Sequence, residues 1–235
     1  MRYGWTTAGV VTMLAVAAIA IAPPTGGASP QASASMWTPF FTSGTLAGSG
    51  WANCPDPIVL TVDPRQLPPA EVDSAKAAFK TSVENWAVQS GLNFAYGGIL
   101  PINYDDVTGA ITPADGVERH RHIYVALLTD AQSQFLSPNV VGFAMPTLVW
   151  ADRKEIDQGE AAFRIDYVVD TGQGKRIAVF MHELGHVLGL GHSGSAADIM
   201  YDYVEDQQTL GPGDIAGIQT LMRPCSTSPP LPPPA

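Results

Sequence analysis

Apolar and polar positions along this chain follow two different periods, and the period changes where turn residues fall. Residues 58–62, IVLTV, form a β-rich run stopped by Asp63-Pro64, which predicts a strand. Over residues 70–89 the apolar positions Val72, Ala75, Phe79, Val83 and Trp86 recur at steps of three and four, predicting one face of an amphipathic helix that Gly91 ends. Residues 92–96 predict a short strand before Gly97-Gly98. HIYVALL, residues 122–128, is nearly continuous in apolar character and suits a buried central strand. Residues 140–145, closed by Pro146, predict an edge strand, and IDYVV, residues 165–169, predicts another strand. Residues 176–190 are apolar nearly all round, so this helix belongs inside the protein. Residues 212–222 put Ile215, Ile218 and Met222 on one helical face. Strands alternating with helices, then helices alone, predict an α/β fold with a mixed sheet and a small, less regular C-terminal part.

The two ends follow different rules. Residues 8–22, AGVVTMLAVAAIAIA, carry no charge, follow Arg2 and precede Pro23-Pro24. Fifteen apolar residues are short for a membrane span, which needs ~20, but they suit the apolar region of a secretory signal. The small-residue pattern at Ala32-Ser33-Ala34 puts cleavage after residue 34, with an uncleaved anchor over residues 3–22 as the alternative. The expected organisation is a signal over 1–34, an irregular leader over 35–53, a single folded domain over 54–225 and an extended proline-rich tail over 226–235. A secreted, extracellular protein with no stable membrane anchor after cleavage is implied.

Composition narrows the class. With 46% apolar and 14% charged residues a sizeable core is possible, and a net charge of −10 argues against a surface that tracks nucleic acid. Two cysteines are too few for a four-cysteine zinc site, and in an oxidising compartment they most simply form one disulfide.

The chemistry is concentrated in HELGHVLGLGH, residues 182–192, which holds three of the five histidines. His182 and His186 are one helical turn apart and present two imidazoles to one ion. Glu183, rotated by about 100°, reaches a water on that ion without becoming a ligand. His192 is the natural third ligand, provided the chain turns sharply after the helix, and Gly189 and Gly191 allow that turn. Such a spacing arises by chance on the order of once in 10⁵ chains of this composition. Without a metal, three imidazoles and a carboxylate would be costly in an apolar helix.

This segment resembles the HExxHxxGxxH signature of the metzincin metallopeptidases, and HSGSAADIMY, with Met200 after His192, is similar to the Met-turn of the matrixin branch. Residues 210–222, LGPGDIAGIQTLM, resemble the closing helix of that branch. The resemblance implies a zincin-like α+β fold: a twisted, mostly parallel five-stranded sheet with an antiparallel edge strand over 140–145, and a buried active-site helix. It further implies Met200 as an apolar floor beneath one catalytic zinc, and a small C-terminal subdomain ending in a helix. An extended peptide would pair with the edge strand by main-chain hydrogen bonds.

The implied activity is that of a secreted, monomeric zinc endopeptidase acting on peptide or protein substrates, with Glu183 as general base and His182, His186 and His192 as metal ligands. Zinc amidase or small-peptide hydrolase activity, or a secreted binding module with a vestigial site, are the alternatives. No matrixin-like loop for further ions is visible between residues 98 and 165, so calcium is left unassigned. His120 and His122 form an HxH that would suit a second metal or solvated and core histidines. Tyr201 and Tyr203 are expected as pocket-wall or structural residues. Asn53-Cys54-Pro55-Asp56 faintly resembles an inhibitory thiol switch, but Cys54 and Cys225 bracket the domain, and their disulfide is the preferred expectation.

Overall fold

The computed structural model describes residues 17–20, 37–203 and 206–225. The tail, the predicted cleavage position and the signal apart from residues 17–20 lie outside the described residues. In chain order the strands are β1 (Ala17–Ala20), β2 (Gly50–Asn53), β3 (Ile58–Asp63), β4 (Phe94–Ile99), β5 (Ile102–Tyr104), β6 (Ile111–Pro113), β7 (His122–Leu128), β8 (Val140–Trp150), β9 (Glu155–Arg164) and β10 (Arg223–Pro224). The helices are α1 (Val72–Ser90), α2 (Ile165–Asp170), α3 (Gln173–Val187) and α4 (Pro212–Leu221).

Four parallel strands and one antiparallel strand, in the order β8-β9-β7-β3-β4, make the body of the sheet. The five-stranded expectation describes this body but not the whole sheet, which has eight strands. β1 adds antiparallel to β8, β2 adds parallel to the start of β9, and β10 adds to β2. A hairpin of β5 and β6 stands apart. β2 also corrects the expectation of an irregular leader, since it buries Trp51 completely.

β7 shows why the sheet sits where it does. All seven of its residues are buried. Ile123, Val125 and Leu127 face the core shared with α1 and α3, while Tyr124, Ala126 and Leu128 join a second cluster with Ile111, Phe143 and Met145. A strand covered on both faces must be apolar at successive positions, which is the pattern its sequence carries. α3 is buried from Arg176 to Val187. Three donors from elsewhere tie it down: Ser82 Oγ to the Ile177 carbonyl at 3.0 Å, Trp86 Nε1 to Met181 at 2.9 Å and Trp51 Nε1 to Val187 at 2.9 Å.

Two local expectations are corrected. Residues 165–169 are helical in α2; the strand is the preceding β9, which the sequence hid because DQGEAA carries acids and small residues inside the sheet. The β-branched residues of IDYVV were misleading, for Ile165, Val168 and Val169 fall at helical spacing and pack against the core. β8 runs past Pro146 to Trp150, and the proline is accommodated beside a register shift between Pro146 and Leu148. Cys54 and Cys225 form the expected disulfide, which joins the ends of the domain.

Candidate metal centre

α3 ends at Val187, and Gly189 follows in the left-handed region at φ 103°. A Cβ there would be strained in any event and would also lie 2.6 Å from the Ser49 carbonyl, so the turn requires glycine. The turn brings His192 back beside the helix. Ring centroids are 4.7 Å apart for His182 and His186, 5.3 Å for His182 and His192, and 4.9 Å for His186 and His192. One nitrogen from each ring lies within 4.8 Å of the others, and this is the one such cluster among the described residues.

The tautomers suit a metal. His182 Nδ1–H donates to the Ile199 carbonyl and His186 Nδ1–H to the Leu190 carbonyl, both at 2.8 Å, which leaves each Nε2 with a lone pair. The Nε2 atoms of all three histidines are buried without a hydrogen-bond partner. Burial, reinforced by the neighbouring histidines, pushes the His182 imidazolium well below its ordinary pKa. Burial and His192 push His186 down to about 3, and burial lowers His192. Three neutral imidazoles converging in an apolar setting are a poor structural device but a good ligand set.

Glu183 is fully buried in the same turn of α3, and it faces Gly142 of β8. A Cβ at position 142 would sit 2.7 Å from Glu183 Oε1, so β8 approaches the carboxylate only because this strand residue lacks a side chain. Beneath the helix, Met200 is 1% exposed, and a Cβ on Gly185 would lie 2.2 Å from its sulfur. Met200 therefore packs against the helix at the glycine of HELGH.

Two buried carboxylates hold the Met200 turn. Asp214 accepts the N–H groups of Ile199 at 2.6 Å, Met200 at 3.1 Å and Gly211 at 2.7 Å. Burial raises its pKa to about 6 against these donors. Asp198 accepts from the Ser193 hydroxyl and from the Gly213 N–H at 2.8 Å. Gly142, Gly185, Asp198 and Asp214 were not singled out from the sequence. A glycine inside a strand was the available signal for Gly142, and a capping position at the start of α4 was the signal for Asp214, whereas its contacts to Ile199 and Met200 and those of Asp198 to Gly213 are marked by no local pattern.

The HxH pair does not form a second centre. His122 is buried in β7 with Nε2 2.9 Å from Thr61 Oγ1 and its ring against Tyr124; burial and then Arg119 push its pKa down to about 4. His120 instead pairs with Asp157 at 2.6 Å and stacks on Trp150. Tyr201 and Tyr203 lie against each other just beyond Met200.

Three histidines on a helix and its following turn, with a buried glutamate beside them, define a metal-dependent peptide hydrolase of the metzincin type. The matrixin family model matches residues 66–223, so the chain belongs to the matrixin family and is a zinc-dependent metalloendopeptidase. No curated protein matches the chain significantly.

Proposed function

We propose that this protein is a secreted endopeptidase in which His182, His186 and His192 hold a single zinc ion and Glu183 is the general base. The observation that carries the reading is the convergence of three buried Nε2 atoms beside a buried carboxylate. When bound, zinc supplies Lewis acidity, polarising the scissile carbonyl and lowering the pKa of the attacking water. Glu183 takes the proton of that water and passes it to the leaving amine. Its burial keeps competing water away, and Gly142 lets the substrate-side strand come close to it.

β8 supports an extended substrate. In the structure residues Ala17–Ala20 lie antiparallel along it, pairing Ala17 with Ala144, Ala18 with Phe143, Ile19 with Gly142 and Ala20 with Val140. This edge of β8 therefore accepts a strand by main-chain pairing across Gly142, the residue that faces Glu183. Once a signal over residues 1–34 is removed, the same edge is open to a peptide. Such an edge favours internal bonds of an extended chain over the terminal bonds preferred by a small-peptide hydrolase. No helix among the described residues is long and apolar enough to cross a membrane. The cluster provides for one ion.

The test is metal analysis of the mature chain together with digestion of a mixed peptide library, with and without chelator. One equivalent of zinc and chelator-sensitive internal cleavage are expected; release of terminal residues alone would favour the small-peptide hydrolase. Glu183→Ala should keep the zinc and lose hydrolysis, and an active, zinc-loaded variant would refute the role assigned to Glu183.

A further inference from the structure

The segment just after the predicted cleavage position lies against the turn that carries the third histidine. Residues 37–41 run antiparallel to residues 189–191: Phe40 N–H donates to the Gly189 carbonyl at 2.7 Å and Gly191 N–H to the Thr38 carbonyl at 2.8 Å. The Thr38 hydroxyl donates to the carbonyl of His192 itself at 2.7 Å. The Phe40 ring stands edge-on to His186 at 5.9 Å. Trp37 anchors the other end on α4, where a Cβ on Gly217 would come within 3.0 Å of the indole.

The sequence around the turn is shaped to admit this segment. Gly189 is the glycine of the signature and takes positive φ, but Gly191 stands at a position the signature leaves open and is not among the positive-φ glycines. What Gly191 provides is space: a Cβ there would lie 2.7 Å from Thr38 Oγ1 and 3.0 Å from the Pro39 carbonyl. His192 is the one histidine of the three that lies off α3, so its position depends on the turn. The carbonyl that orients His186 belongs to Leu190, between the two residues that the segment hydrogen-bonds. Two of the three histidines thus depend on backbone that residues 37–41 hold.

We propose that residues 37–41 are a strap that fixes the turn between His186 and His192 in its metal-binding geometry, with Thr38 and Gly191 as positioning residues. The inference rests on the metal-centre reading above. It makes metal affinity a property of where the mature chain begins. A start near residue 35 leaves the strap whole, and trimming past residue 41 removes it.

The experiment measures Zn²⁺ affinity of the chain from residue 35 to residue 235 by competition with a chromophoric chelator, beside the thermal midpoint of each metal-free variant. Thr38→Val should bind zinc about 10-fold more weakly, Thr38→Ser should restore the affinity, and Gly191→Ala should weaken binding at least as much as Thr38→Val. The metal-free midpoint of Thr38→Val should stay within about 2 °C of the parent, a shift too small to explain the loss through general stability. A chain lacking residues 35–41 should show the largest loss. Parent-like affinity in both Thr38→Val and Gly191→Ala would overturn the strap alone, as would losses that Thr38→Ser fails to reverse. A parent chain that binds no zinc would overturn the metal centre and the strap with it.

Discussion

His182 and His186 align because one helical turn separates them, and that relation is local enough to be read from letters alone. The glycines that make room around them are different, because their reason lies in residues distant along the chain. Gly185 sits between the two histidines with Met200 and Trp86 against it, where a Cβ would meet the sulfur at 2.2 Å and Trp86 Cζ2 at 2.9 Å. Trp86 is fully buried and its indole N–H is committed to the Met181 carbonyl, so it has little freedom to withdraw. We therefore predict that Gly185→Ala overpacks the floor and costs ~1–3 kcal/mol, despite the better helix propensity of alanine. Urea unfolding of the metal-free protein checks this; a neutral or stabilising result would mean that Met200 re-packs freely and is no fixed floor.

At the scale of elements, the sequence showed most helices and the central strand because their burial is periodic, but it concealed β9. That strand carries Glu155, Asp157 and Glu160 into the sheet, and buried acids mimic a loop to any reading based on polarity. Glu160 lies between Tyr124 and Met145 in the ladder, with its carboxylate accepting the Ile111 N–H at 2.8 Å from the β5–β6 hairpin. Burial raises its pKa to about 8 against that one hydrogen bond. A carboxyl with a raised native pKa contributes fully below its unfolded value of 4.5, and the contribution is lost as pH rises through about 8. Glu160→Gln keeps an acceptor for Ile111 without the charge. We predict near-equal stability of parent and variant at pH 4.5 and a variant advantage on the order of 4 kcal/mol by pH 8.5. Denaturant midpoints across that range are the measurement, and parallel curves would show that Glu160 titrates as it does in the unfolded chain.

For the whole molecule, the body of the sheet was legible and its extensions were not. β2 and β10 are short pairings between the two ends of the domain, four and two residues long, with little pattern of their own. Their partners are set by long-range contact: Arg223 with Ala52, Pro224 with Asn53, and the disulfide from Cys54 to Cys225 immediately beyond. The bridge spans a sequence separation of 171 and fastens the end of α4 to the strand that buries Trp51, whose indole N–H caps the Val187 carbonyl at the end of the metal-binding helix. In the unfolded chain such a closure removes much conformational freedom, worth up to ~5 kcal/mol in the entropy model. We predict that Cys54→Ser with Cys225→Ser loses ~3–5 kcal/mol, and that the thermal midpoint falls by about 10 °C for a domain of this size. Zinc should remain bound to the folded variant at 25 °C, because the bridge lies beside the β2–β10 pairing while the histidines are held by α3 and the turn after it. Calorimetry beside metal analysis separates the two effects. A midpoint within 3 °C of the parent would show that the β2–β10 pairing and Trp51 hold the ends of the domain without the covalent link.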